Sequence, residues 1–332
     1  MNQKLKKSIT LLLAAASIGL ALTGCGTDPS AKKEQTSSTV SWSETIEGQK
    51  TEMKVSAPPK RAVTMSFAPT EMLLTIGAEK QMAGTSFKEE ELYEPIAEAY
   101  KRVPVLAEKW PSYEKFMSVK PDFVIGWEVD FSKRAIPAEK IISAGVPIFI
   151  PDSMQDTNAT LETNFNDMLE LGKIFGLEDN ARKWVDIQKK KLGTIQDKIK
   201  DIPHVRVFVF DSEDDAPFTV FEGYTTNVLK LIGADNVMAG QGVDKTWAKT
   251  SWESFVQANP DYVIIVDYTA SDRTDDDFAN KVERLKNNPQ LSSVTAIKEN
   301  HFLRVRLAEI TPGVRTVDAL ERLVKEIHPD MK

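Results

Sequence analysis

Short β-branched runs alternate along the chain with longer stretches in which apolar residues return every three or four positions, the pattern of parallel α/β layers. Residues 61–65 (RAVTM), 82–85 (MAGT), 123–126 (FVIG) and 146–150 (VPIFI) read as strands. Helices are predicted over 70–76, stopped by Gly77, and over 138–144. From 157 to 175 the apolar positions Leu161, Phe165, Met168, Leu169 and Leu171 predict a helix capped by Gly176. A second helix over 179–200 puts Ala181, Val185, Leu192, Ile195 and Ile199 on one face. Its roughly 22 residues span about 33 Å, enough to brace two lobes. After Pro203 the alternation resumes, with strands at 206–210, 262–266 and 302–305, an apolar segment at 227–232 and a closing helix over 317–327. The expected organisation is an α/β lobe at 58–156, linking helices at 157–202 and a second α/β lobe at 203–332. Ligands of open parallel sheets lie at the carboxyl ends of strands. That rule nominates Phe67, Ser86, Trp127, Asp152, Asp211, Tyr224, Asp267, Tyr268 and Arg306.

The first residues follow another pattern. Lys4, Lys6 and Lys7 precede an almost wholly apolar or small run from 9 to 22, which reads as a secretory leader. The run ends in Leu22-Thr23-Gly24-Cys25, and Cys25 is the sole cysteine in 332 residues. These four residues resemble the lipobox of bacterial lipoproteins, which implies loss of residues 1–24 and a diacylglycerol thioether on Cys25. Acyl chains contribute about 0.8 kcal/mol per buried methylene, so several together form a durable anchor. No later stretch approaches the roughly 18 apolar residues of a membrane span. Residues 25–57, rich in Ser, Thr, Lys, Glu and Gln, are expected to form a flexible tether with a reach of about 30 Å. Removing the three leader lysines takes the formal charge from −7 to −10. An acidic body argues against nucleic acid or anionic lipid as the main partner.

Three stretches carry a wider resemblance. "SFAPTEMLLTIGAEKQMAG" (66–84) and "TSWESFVQANPDYVIIV" (250–266), with "VKPDFVIG" (119–126) repeating the Pro-Asp turn, resemble substrate-binding proteins of ABC importers for iron-siderophores, haem and cobalamin. The closing "TPGVRTVDALERLVKEIHP" (311–329) also fits. The resemblance implies two Rossmann-like lobes with parallel-type sheets joined by one long interlobe helix, in a monomer on the extracytoplasmic face of the cell membrane. It also implies a permease dimer with its ATPase as partner, docked through one surface glutamate per lobe. By motif position these are Glu71 and Glu253.

The nominated loops are rich in aromatics and acids, with Lys88, Arg134, Arg273 and Arg306 as scattered bases. Complementarity therefore favours a neutral or cationic metal chelate, such as an iron(III) hydroxamate, over an anionic tricatecholate. Trp110, Trp127, Trp247 and Tyr224 are expected to supply apolar walls. Haem and cobalamin are the alternative ligands, with Tyr224 and Met65 as the candidates for haem ligation. His204 and His301 precede strands and His328 lies in the tail, so no direct metal site and no resident cofactor are expected. An enzyme on the same scaffold is the rival class. No G-x-S-x-G elbow, phosphate loop or H-E-x-x-H is present, and Asp211 with Asp267 is the one candidate acid-base pair.

Overall fold

The computed structural model describes residues 39–46, 48–213, 215–243, 245–268 and 276–329. The leader, Cys25 and the first half of the expected tether lie outside the described residues. The first described strands, β1 (Val40–Ile46) and β2 (Gln49–Val55), pair as an antiparallel hairpin. This corrects the tether expected over 25–57. Trp42, Met53 and Val55 are buried on one face, and the Trp42 indole N–H donates to the Ile148 carbonyl at 3.0 Å. The alternation Val40, Trp42, Glu44, Ile46 carries the strand signal. Mean polarity hides it, because a hairpin resting on a lobe buries every second side chain.

Five parallel strands build the first lobe: β3 (Ala62–Thr64), β4 (Met82–Ser86), β5 (Val105–Ala107), β6 (Phe123–Ile125) and β7 (Ile148–Phe149), in the order β5-β4-β3-β6-β7. In the second lobe β8 (Val205–Phe210) leads to a small antiparallel sheet of β9 (Ser212–Glu213), β10 (Pro217–Val220) and β12 (Trp247–Lys249). Its main sheet is parallel, ordered β11-β8-β13-β14, with β11 at Ala234–Asn236, β13 at Tyr262–Val266 and β14 at Phe302–Val305. The central strands are apolar at consecutive positions because both sheet faces are covered, as in Val263 to Val266.

Among the described residues seven helices have seven residues or more: α1 (Phe67–Thr75), α2 (Leu161–Phe175), α3 (Glu178–Ile199), α4 (Tyr224–Lys230), α5 (Trp252–Ala258), α6 (Asp277–Asn287) and α7 (Thr316–Ile327). The Thr160 hydroxyl accepts from the Thr163 N–H at the start of α2, and Gly176 ends it in the left-handed region at φ +66°. The 22 residues of α3 extend about 33 Å. It buries Ala181, Val185 and Ile195 and packs against α2 and α7. The expected two parallel-sheet lobes and long connecting helix are therefore what the chain forms.

Candidate ligand-binding cleft

The carboxyl ends of both main sheets open onto a shared cleft of about 430 Å³, within the usual range for small-molecule sites. The first lobe contributes Phe67 after β3, Phe87, Glu89 and Glu90 after β4, Trp110 after β5, and Trp127 with Asp130 after β6. The second contributes Asp211 after β8, Phe218 and Trp247 from the small sheet, Tyr268 after β13 and Leu307 after β14. A depression of about 540 Å³ around Asn280 and Asn287 is larger, but it is open and lined mostly by amide and charged side chains.

Of the predicted ligand contacts, Phe67, Trp127, Asp211, Trp247 and Tyr268 line this cleft. Trp247 lies diagonally across the β10–β12 ladder from Phe218, and their rings stack at 6.1 Å. The Tyr268 hydroxyl donates to Asp211 Oδ1, and the Ser212 hydroxyl donates to Oδ2 at 2.7 Å. Burial and the Asp211 charge push the Tyr268 phenol far above its ordinary range, so it stays a neutral donor.

Three predicted residues sit elsewhere. Tyr224 is 2 % exposed, and its hydroxyl donates to Thr316 Oγ1 at 2.9 Å inside the second lobe. Tyr224 is thus a core residue at the start of α4, and the fully buried Met65 shares that fate. Neither haem-ligand candidate reaches the cleft. Asp267 is buried beneath the wall, with Oδ2 3.3 Å from Arg306 Nη1 and 3.6 Å from Arg304 Nε. Arg306 also faces Glu91 at 3.6 Å, and neither Asp267 nor Arg306 is among the residues that line the cleft.

Glu71 is the main correction. It is 0 % exposed on α1, and Arg315 Nε bonds both of its oxygens at 3.1 and 3.0 Å. Arg315 belongs to the second lobe, just ahead of α7. The same guanidinium donates to the Glu91 carbonyl at 2.8 Å and stands 3.6 Å from Glu90. Burial pushes the Glu71 carboxyl upward, and the Arg315 guanidinium opposes this. A carboxylate held this way ties the lobes together and is not the surface group expected at Glu71.

The two lobes repeat a local unit that identifies the exposed counterpart of Glu253. Ser112-Tyr113-Glu114-Lys115-Phe116 and Lys120-Pro121-Asp122-Phe123-Val124-Ile125 match Ser251-Trp252-Glu253-Ser254-Phe255 and Asn259-Pro260-Asp261-Tyr262-Val263-Ile264 at the same spacing. Ser112 and Ser251 cap their helices by accepting from Lys115 N and Ser254 N, while Phe116 and Phe255 are fully buried. Lys120 and Asn259 both turn left-handed, at φ +48° and +42°. Asp122 and Asp261 then accept from Arg61 N at 2.9 Å and Arg206 N at 2.7 Å. Glu114 and Glu253 are both exposed in first helical turns. Each helix runs antiparallel to the strand it feeds, so its first turn lies toward the cleft end of its lobe. The repeat was visible in the sequence at the Pro-Asp turn; extending it eight residues upstream finds Glu114.

The profile described as periplasmic binding protein matches residues 63–306. The chain belongs to the periplasmic binding protein family. A periplasmic binding protein from Veillonella parvula DSM 2008 has a crystal structure that is 62% identical, with a TM-score of 0.86, covering 88% of this chain and 99% of that one. The ABC transporter substrate-binding lipoprotein YvrC of Bacillus subtilis (strain 168) is 24% identical over 328 residues, covering 96% of each chain. The petrobactin-binding protein YclQ of the same organism is 24% identical over 338 residues, covering 97% of this chain and 98% of its own.

Proposed function

We propose that this binding protein is the extracytoplasmic substrate-binding component of an ABC importer, taking a neutral or cationic metal chelate, foremost an iron(III)-siderophore, into the cleft. The observation that carries the reading is the cleft's composition: aromatic walls from both lobes, and, among the described residues that line it, the acids Glu89, Glu90, Asp130 and Asp211 beside one base, Arg134. Broad rings bury a bulky chelate, and the carboxylates disfavour a highly anionic one. Desolvation, reinforced by Asp130 and Glu90, pushes the Glu89 carboxyl up to about 7. Such a group gains from a positive charge beside it. Relatives named as lipoproteins support an anchor on Cys25, and relatives that are binding proteins support a role without turnover. Glu114 and Glu253 replace Glu71 and Glu253 as the pair that meets permease cations through charge-assisted hydrogen bonds.

The test separates capture from delivery. In cells, Glu114→Ala with Glu253→Ala is expected to cut chelate uptake at least tenfold, while purified protein binds the chelate as before. Unchanged uptake in that double variant sinks the docking pair.

A further inference from the structure

Asp130 is 1 % exposed, yet it touches three of the connections that shape the cleft. Its Oδ1 accepts from the Trp110 indole N–H at 2.6 Å. Its Oδ2 accepts from the Ser66 hydroxyl at 2.6 Å and from the Trp127 backbone N–H at 2.7 Å. The donors follow β5, β3 and β6, so one carboxylate ties together three loops that leave the same end of the sheet. Trp110 also meets the Phe87 ring edge-on at 4.9 Å, which extends the arrangement to the loop after β4. The approach depends on Gly126, where an added Cβ would lie 2.6 Å from Asp130 Oδ2. Burial raises the Asp130 carboxyl, and the three donors oppose that rise by favouring the ionised form.

We propose that Asp130 is a positioning residue for ligand binding, fixing the first lobe's aromatic wall before a ligand arrives. Ionised acceptors hold donors more strongly than neutral ones, so this wall is set by charge as well as by packing. A preset wall spares the side-chain ordering that binding otherwise requires. The second lobe uses the same device once, where Asp211 holds the Tyr268 hydroxyl. The inference rests on the cleft being the ligand site, but its first readout is the unliganded protein.

An amide at this position cannot satisfy all three donors. If its nitrogen faces Trp110, the indole N–H loses its acceptor; if it faces Ser66, that hydroxyl can turn to accept but the Trp127 N–H is orphaned. Hydrogen exchange followed by NMR is therefore expected to show the Trp110 indole N–H and the Trp127 amide well protected in the parent protein. In Asp130→Asn at least one of the two should exchange ten times faster or more, whereas Ser66→Ala should leave both protected. The same Asp130→Asn change should weaken binding of an iron(III) chelate that the parent binds at least tenfold. Free-indole exchange rates at Trp110 in the parent would overturn the proposal even if the variant failed to fold. So would an Asp130→Asn protein that melts earlier but keeps both groups at parental rates. Because exchange is read without ligand, failure there leaves the cleft standing as a binding site, and lack of chelate binding leaves the exchange result standing.

Discussion

Replacing Glu71 with alanine leaves Arg315, 7 % exposed, as a buried guanidinium without its chief carboxylate. Removing one partner of a buried ion pair generally costs about 3–5 kcal/mol. Arg315 keeps the Glu91 carbonyl at 2.8 Å and has Glu90 at 3.6 Å, which partly compensate. The lower end, about 3 kcal/mol, is the appropriate figure. For a folded body of this size, at about 2.1 cal/mol/K of unfolding entropy per residue, each kcal/mol moves Tm by about 1.5–2 °C, so Glu71→Ala should melt about 5–6 °C below the parent. Circular dichroism melts at pH 7 read this directly. Replacing both partners with methionine removes the orphaned charge and should recover most of the loss. A fall below about 2 °C for Glu71→Ala, or a double variant no more stable than the single, would refute the reasoning. The chemistry also sets the site apart from docking, since the defect should appear in the purified protein with no permease present.

Three further outcomes separate buried polar groups from the cleft wall. Burial pushes the Glu44 carboxyl up to about 8 in the folded chain, from an ordinary value of 4.5, so the folded form binds this proton more tightly. Its contribution is present below about pH 4.5 and is lost as pH rises through about 8. Urea midpoints at pH 5, 6.5 and 8 should therefore fall more steeply for the parent than for Glu44→Gln; parallel lines would contradict this. Tyr224→Phe should cost about 1 kcal/mol of stability by removing one buried hydrogen bond and leave chelate affinity unchanged. Trp127→Ala should do the reverse, weakening binding at least tenfold with little change in Tm, and a matching loss of affinity in both would remove the distinction between core and wall.

The fold was legible wherever local pattern and burial agree. The strand expected at 262–266 and the strand at Tyr262–Val266 coincide because five consecutive β-branched or aromatic residues leave no helical alternative. The β1–β2 hairpin was missed because its polar positions outweigh Trp42 and Met53 in any average. Residues nominated by strand ends reach the cleft when the side chain lies just past a strand and open space faces it, as with Trp127 and Tyr268. Glu71 and Tyr224 failed for a different reason. Their burial is decided by Arg315, 244 residues away, and by Thr316, 92 away, and no local pattern carries that information. Glu89, Glu90 and Asp130 are not nominated by the strand-end rule, since their meaning arises only when loops from separate strands converge.

The central claim is that an acidic, aromatic cleft selects a neutral or cationic metal chelate. Intrinsic tryptophan fluorescence, with Trp110, Trp127 and Trp247 all lining the cleft, measures it most directly. The titrants are one iron(III) trihydroxamate with a free amine, its acetylated neutral form and its succinylated anionic form, beside an anionic iron(III) tricatecholate. Saturable quenching is predicted, tightest for the amine or neutral form and weakest for the tricatecholate, with the amine's advantage reduced by Glu89→Gln. Tightest binding by the anionic complexes, or no quenching by any chelate, would contradict the account.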